Sequence, residues 1–418
     1  MVPSVPPPRR VAVIGAGMVG LATAWFLQER GVSVTVLDRA GVAAGSSWGN
    51  AGWLTPAIAT PLPEPAVLRY GLRALLSSSS PVYVPPRADP RLIRFLVGFV
   101  RNSTASRWQT GMAALVPINR RALAGFDALA DGGLTARTVD AKSFLAAYRT
   151  ETERTVLLDE IRHIDAAGQH IEFDVLTGAA ARAAEPSLSD AIGAAIRLHG
   201  QRFVDPGDYV HRLADSVRVR GGEIRAGVAV TDVRDRPGSV EVVAADGTTD
   251  SFDAAVLATG AWLGDLARKF GVRTVVQAGR GYSFTVPIDH VPSGPVYFPA
   301  QRLACTPIGD HLRIAGMMEF RAPGAPLDPR RTRAIADAVR PLLRDADVDA
   351  RTDEWVGSRP CTPDGLPLIG GTRSPRVFAA GGHGLWGITL GPITGQLLAE
   401  TVTTGRRPAE LAPFDPLR

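Results

Sequence analysis

The sequence predicts an α/β fold organised around a parallel nucleotide-binding sheet. Three observations carry this. Val11–Ile14, Val19–Glu29 and Val32–Leu37 read as strand, helix and strand, the unit a nucleotide-binding half requires. Between the first strand and the helix stands Gly15-Ala16-Gly17-Met18-Val19-Gly20, and Asp38 closes the second strand 18 residues after Gly20. The chain closes on Val377–Thr403, which again reads strand, glycine loop and helix.

The intervening elements follow from local pattern. Gly41–Pro65, rich in Gly, Ser, Asn and Pro, and Ser77–Pro90 read as loops. Helical patterns run through Arg91–Phe99 and Pro117–Asp131, with proline at a helix start. Short strands and helices alternate from Thr138 to Ala195. Asp208–Gly221 reads as a helix. Glu223–Val230, Ser239–Ala244 and Ala254–Ala258 read as strands, the last two around the turn Asp246-Gly247. Val275–Pro287, Leu303–Pro307 and His311–Gly316 suit a second sheet, and Arg330–Leu343 a helix. No internal repeat is evident, and Ser77–Ser80 is the one low-complexity block.

Composition narrows the classes. The 418 residues are 45% apolar and 21% charged, which excludes a disordered chain and allows two domains without staples. Two cysteines, Cys305 and Cys361, exclude a disulfide framework and a multi-cysteine metal site, and no metal is expected. They point to a reducing, cytoplasmic setting. The net charge of +5 invites a nucleic-acid reading, but the basic residues are scattered without a run of five. Lys142 and Lys269 are the two lysines, so 44 basic residues are arginine, a bias of overall composition. Val11–Leu27 is uncharged for 17 residues, but its glycines favour strand, turn and helix over a membrane span. Met1–Arg10 is a proline-rich tail without the marks of a signal peptide. Arg91–Trp108 alternates basic and apolar residues. The pattern suits a peripheral membrane contact on an inner membrane face and, better, a helix packed on the neighbouring domain.

In the glycine motif each glycine has a physical task. Gly15 allows the tight turn, Gly17 lets a pyrophosphate approach the backbone, and Gly20 packs helix on strand. The helix N-terminus then offers free N–H groups and the positive end of its dipole. A carboxylate at Asp38 accepts from both ribose hydroxyls and disfavours a 2′-phosphate. The motif in this context implies dinucleotide binding.

Further segments separate flavin from nicotinamide. They are SSWGNAGWLTP at Ser46–Pro56, the apolar strand ending Ala258-Thr259-Gly260, GRGYSFTVP at Gly279–Pro287, GSRPCTPDGLPLIG at Gly357–Gly370 and GGHG at Gly381–Gly384. In order and spacing the chain resembles, from about Arg9 to Arg407, the FAD-dependent D-amino-acid oxidase superfamily, and within it the bacterial D-amino-acid dehydrogenase small-subunit branch. A NAD-dependent dehydrogenase would not need these segments together. A disulfide reductase needs a cysteine pair that is absent. A non-catalytic flavin-binding module is the alternative of a different class.

The resemblance implies a Rossmann-like FAD domain, 9–60, 199–272 and 353–408, with an inserted α+β substrate domain, 61–198 and 273–352, and a flexible tail at 1–8. It implies non-covalent FAD held by Gly15, Gly17, Met18, Val19, Gly20, Asp38, Arg39, Ser46, Ser47, Asn50, Ala51, Gly52, Val230, Thr259, Gly260, Gly382, His383, Gly384, Gly387, Ile388 and Thr389. The implied reaction moves a hydride from a substrate α-carbon to flavin N5, giving an imine that hydrolyses to a keto acid and ammonia. The acceptor is a quinone chain or O₂, the latter as in glycine and sarcosine oxidases. Oligomeric state stays open.

Three residues are expected at the chemistry. By resemblance Arg359 clamps the substrate carboxylate, a task suited to a bidentate guanidinium, and its competing partner is Asp364. His383 is expected beside the flavin, structural rather than proton-transferring. Tyr282 is either a pocket residue or a core tyrosine, and Tyr297 is a weaker candidate. The helix starting near Gly391-Pro392 is expected to aim its N-terminus at the flavin. Glycine oxidase has a second arginine after its His, where this chain has Leu385 and Trp386. That implies a more apolar pocket and a bulkier or cyclic substrate, such as a D-proline derivative. Cys361 stands out of register for covalent flavin attachment, and Cys305 reads as core.

Overall fold

The computed structural model describes residues 7–65, 82–84 and 89–418. The loop expected at 77–90, its Ser block and the tail at 1–8 fall largely outside those residues.

The chain opens as expected. β1 (Arg10–Ile14), α1 (Met18–Glu29) and β2 (Ser33–Asp38) form a parallel unit joined by β3 (Glu223–Ala226) and β4 (Ala254–Leu257). β1, β2 and β4 are buried on both faces, which is why they read as continuous apolar runs rather than alternating ones. α1 is buried nearly all round for the same reason.

The expected strand Glu223–Val230 is two strands. Gly227, at φ +77°, turns the chain out of the parallel sheet into a hairpin strand, Val230–Arg236. The turn at Asp246-Gly247 joins Ser239–Ala244 to Thr249–Phe252, while β4 stays in the parallel sheet. The long helix starts at Ala105, not Pro117. α2 (Pro90–Asn102) is capped by Asp89, and α3 (Ala105–Asp131), capped by Thr104, runs straight through Pro117. Proline is tolerated there although it removes one ladder bond.

A second, mixed sheet forms the other layer. At one end of it β5 (Gln277–Pro287) lies between β6 (His311–Phe320) and the edge strand β7 (Thr352–Cys361), both antiparallel to it. It continues through Leu303–Ile308, Val296–Phe298, Phe144–Tyr148, Ala194–Leu198 and Phe173–Thr177. α4 (Pro329–Val339) covers one face of this sheet over Tyr282, Phe284 and Ile314. β7 is a correction. Residues from 353 were assigned to the cofactor part, but Thr352–Cys361 lies in the second sheet because its backbone pairs with β5 over nearly its whole length.

β8 (Leu368–Gly371) and β9 (Val377–Gly381) return to the first sheet, whose order is β3–β2–β1–β4–β9–β8. α5 (Gly391–Thr404) then packs on α1. A Cβ at Gly395 would lie 2.6 Å from the Ala22 carbonyl carbon, so the two helix backbones are in contact. β1, β2, β4 and β9 end at one rim, the position where open parallel sheets bind ligands.

Candidate active site

An elongated cleft of about 460 Å³ lies along that rim. Gly15, Gly17, Met18, Val19, Gly20, Asp38 and Arg39 line one half of it. Gly17 is the N-cap of α1 and carries no capping side chain, so the helix's first amides are left for a ligand. One is shared: Met18 N–H donates to Ser47 Oγ at 3.2 Å. Asp38 is held in place by N–H groups of Ala16, Ala40 and Gly41 at 2.8–3.0 Å. Arg39 stacks 3.6 Å over the Trp262 ring, beside Val230. Thr259 Oγ1 is buried without a hydrogen-bond partner among the described residues, and Gly260 follows it at φ +56°.

The other half is a junction of both layers. Ser46, Ser47 and Asn50 line it from the cofactor loop, and His383, Gly384, Gly387 and Ile388 from the closing loop. The cofactor loop is stitched to the second sheet. Ser46 donates to the Ser358 carbonyl, Ser283 Oγ to Gly49 at 2.8 Å, Thr306 Oγ1 to Ala51 at 2.6 Å and Arg313 Nη1 to Trp48 at 2.9 Å. The Trp355 indole fills the space where Gly49 and Gly357 lack a Cβ. This stitching was not readable from sequence, because its donors lie far along the chain and carry no motif.

Arg359 lines the cleft on β7, with Pro360 beside it. Its Nη1 donates to the Met317 carbonyl at 2.7 Å and lies 4.0 Å from Met318 Sδ. Among the described residues it forms no ion pair with a carboxylate. Asp364, the competing partner, pairs instead with Arg418 at 2.9 Å. Burial pushes the guanidinium down to about 10, so it stays charged at neutral pH. A half-buried cation facing a cleft, with no anion beside it among the described residues, suits an anionic ligand group.

His383 is 3% exposed, and its Nε2 shares a 2.9 Å hydrogen bond with Thr394 Oγ1 on α5. Burial holds the imidazole down at about 4, so it is neutral at physiological pH and ties the closing loop to α5. Since the unfolded chain protonates first, stability is lost as pH falls from about 6.5 towards 4. A depression of this size corresponds to about 3 kcal/mol. The His383→Gln variant should lose this component: its denaturant midpoint should fall less between pH 7.5 and pH 5 than that of the parent.

Other expected residues lie elsewhere. Tyr282 is a correction. It is fully buried on the face of β5 away from the cleft, donating to Glu319 Oε2 at 2.6 Å, so it is a core tyrosine. Ala51, Gly52, Gly382 and Thr389 do not line the cleft. Gly52 abuts the Val204 carbonyl, Gly382 abuts Thr362, and Thr389 Oγ1 donates to the Trp53 carbonyl at 2.9 Å. They shape the two loops. Tyr297 packs on Trp53 at 5.3 Å. Cys361 is buried and its thiol is pushed up to about 12, so it is not a nucleophile. Lining residues absent from the expected set include Val228, Ala229, Trp262 and Leu266; Leu385 lines the cleft as expected, whereas Trp386 does not and donates instead to the Thr60 carbonyl at 2.8 Å.

The geometry fits FAD: the uncapped α1 amides would face the pyrophosphate, Asp38 would face the ribose, and the orphaned Thr259 hydroxyl would supply a further polar contact. The chain is a flavin-dependent oxidoreductase: residues 10–401 match the DAO family model of FAD dependent oxidoreductases, and the chain belongs to that family. Among its relatives is a D-amino acid dehydrogenase of Methylobacterium radiotolerans, 33% identical over 97% of this chain and 98% of the relative. Another, from Cereibacter sphaeroides, is 32% identical over 96% and 92%. The fold matches glycine oxidase from Geobacillus kaustophilus with a TM-score of 0.76 at 23% identity, covering 98% of this chain and 99% of that one.

Proposed function

We propose that this chain oxidises a D-amino acid, or a related cyclic amino acid, to the imino acid, which water converts to the 2-oxo acid and ammonia. The observation that carries this is Arg359, a cation without an anionic partner among the described residues, at the junction end of the cleft. A substrate carboxylate completes its pairing and fixes the α-carbon relative to the ring. Bound FAD supplies the hydride acceptor. Asp38 and the α1 amides hold the nucleotide half, while the stitched Ser46–Asn50 loop holds the other half against the second sheet. His383 is buried and neutral, so the α-amine gives up its proton to solvent and reacts as the free base. Leu385 stands at this end and favours side chains larger than a hydrogen atom. The D-configuration rests on the relatives.

The test is anaerobic flavin reduction with D- and L-amino acids, glycine, sarcosine and D-hydroxyproline. Bleaching by D-amino acids is expected; best activity on glycine would sink the reading. For the acceptor we propose a quinone at a membrane surface. Ile93, Val97 and Val100 form an exposed stripe on α2, 53%, 46% and 48% accessible, beside Arg94 and Arg101. No helix among the described residues is long and apolar enough to cross a membrane. Quinone-dye reduction should outpace oxygen uptake.

A further inference from the structure

The face of β5 turned away from the cleft carries a buried charge cluster. Glu319 on β6 is 1% exposed. Around its carboxylate stand the Tyr282 hydroxyl at 2.6 Å, Arg321 at 3.1 Å, Arg280 at 3.5 Å and Arg331 at 3.6 Å. Arg280 also donates from Nη2 to the carbonyls of Ala325 at 2.6 Å and Pro326 at 3.0 Å. Three arginines on one buried carboxylate form a costly arrangement, and hydrophobic packing would fill the same space at least as stably. Its position within the sheet gives it a use.

β5 and β6 pair in register except at one point. Arg280 opposes Glu319 and Tyr282 opposes Gly316, so Gly281 faces two residues, Met317 and Met318. This is a β-bulge. Met317 sits in it at φ +65°, a conformation disfavoured for a side chain of this kind. The bulge turns the Met317 carbonyl to Arg359 Nη1. On the cleft side Gly281 is bare, and a Cβ there would lie 2.1 Å from Arg359 Nη2. The guanidinium thus rests on Gly281 and is aimed by Met317. Arg280 and Tyr282 flank Gly281, and both are pinned from behind by Glu319, two residues beyond Met317.

We propose that Glu319 is a positioning residue for Arg359, holding the strained bulge that aims the guanidinium, with Tyr282 as its principal donor. The inference rests on the reading of Arg359 as the carboxylate anchor. Breaking the pin lets the bulge relax, so the cost appears in carboxylate recognition rather than in hydride transfer.

The test uses the FAD-loaded enzyme and two ligands: the best D-amino acid of the panel, and hexanoate, which has the carboxylate but no amine. Affinity for hexanoate is read from the perturbed flavin spectrum. Glu319→Gln should weaken hexanoate at least 10-fold and raise KM similarly, while the limiting rate of anaerobic flavin reduction changes less than 3-fold. Tyr282→Phe removes one hydroxyl, keeps the ring, and should move the same quantities 3- to 10-fold. It decides the matter alone if the glutamine variant does not fold. Unmoved hexanoate affinity, or a fall in the limiting rate with KM unchanged, overturns the proposal. Arg359→Lys is the companion: if it too leaves hexanoate affinity unchanged, the anchor reading itself fails, whereas loss in that variant alone removes Glu319 only.

Discussion

The Arg359→Ala variant is expected to lose roughly 10²- to 10³-fold in kcat/KM for its amino-acid substrate while retaining FAD. Truncating one partner of a partly desolvated charge pair costs about 3–4 kcal/mol, and each 1.4 kcal/mol is tenfold. The loss is large because, among the described residues, the cleft supplies no second cation near Arg359: Arg39, which also lines it, is stacked on Trp262 at the nucleotide end. Arg359→Lys restores charge but not the planar fork, and should recover only part of the loss. Folding is not at risk, since Arg359 makes one strong hydrogen bond, to Met317, and no ion pair among the described residues. Gly281→Ala probes the same geometry without touching the charge. Its Cβ meets the flexible end of Arg359, so the guanidinium moves and the sheet survives. KM should rise roughly 10-fold, about 1.4 kcal/mol, with melting temperature little changed. Steady-state kinetics with flavin content measured in parallel checks all three variants.

The parts of the site that the sequence discloses are those where chemistry restricts the residue. A pyrophosphate against a helix N-terminus calls for small residues, which Gly15, Gly17 and Gly20 supply, and a carboxylate at the strand end, as at Asp38, suits a ribose. The proposed substrate carboxylate calls for a cation, and Arg359 stands in a motif whose prolines restrict its backbone. Backbone and apolar contacts leave no such trace, so Val228, Ala229 and Leu266 escape. Tyr282 escapes for another reason. Strand side chains alternate, so Gly281 facing Arg359 puts both of its neighbours on the opposite face. Sequence shows the aromatic but not the register, and the bulge at Met317 is equally silent. Pro117 misleads because proline marks a helix start more often than it sits inside one. β7 falls on the wrong side of the expected boundary because its backbone serves one layer while Arg359 serves the cleft.

The glycine turn is the second place where one methyl group should decide the outcome. Gly15→Ala is expected to yield protein that retains little or no flavin. Gly15 sits at φ +117°, a region open to glycine and closed to L-residues. Its Cβ would lie 2.3 Å from the Ala258 carbonyl oxygen. That oxygen cannot yield, because Ala258 N–H donates to Ile14 and Gly15 N–H donates to Leu37, each at 2.8 Å, locking the ends of β1, β2 and β4 together. The turn must therefore move into the cleft, where the pyrophosphate needs the backbone of Gly17 and the amides of α1. Strain and lost phosphate contacts together should weaken FAD by about 3 kcal/mol or more, roughly 10²-fold. Titrating the apoprotein with FAD measures this directly. Gly264→Ala is the control, since its Cβ would meet nothing closer than 3.5 Å and its backbone is unstrained. Should both variants bind FAD alike, the turn would not be the pyrophosphate cradle, and Asp38 would lose its place at the ribose with it.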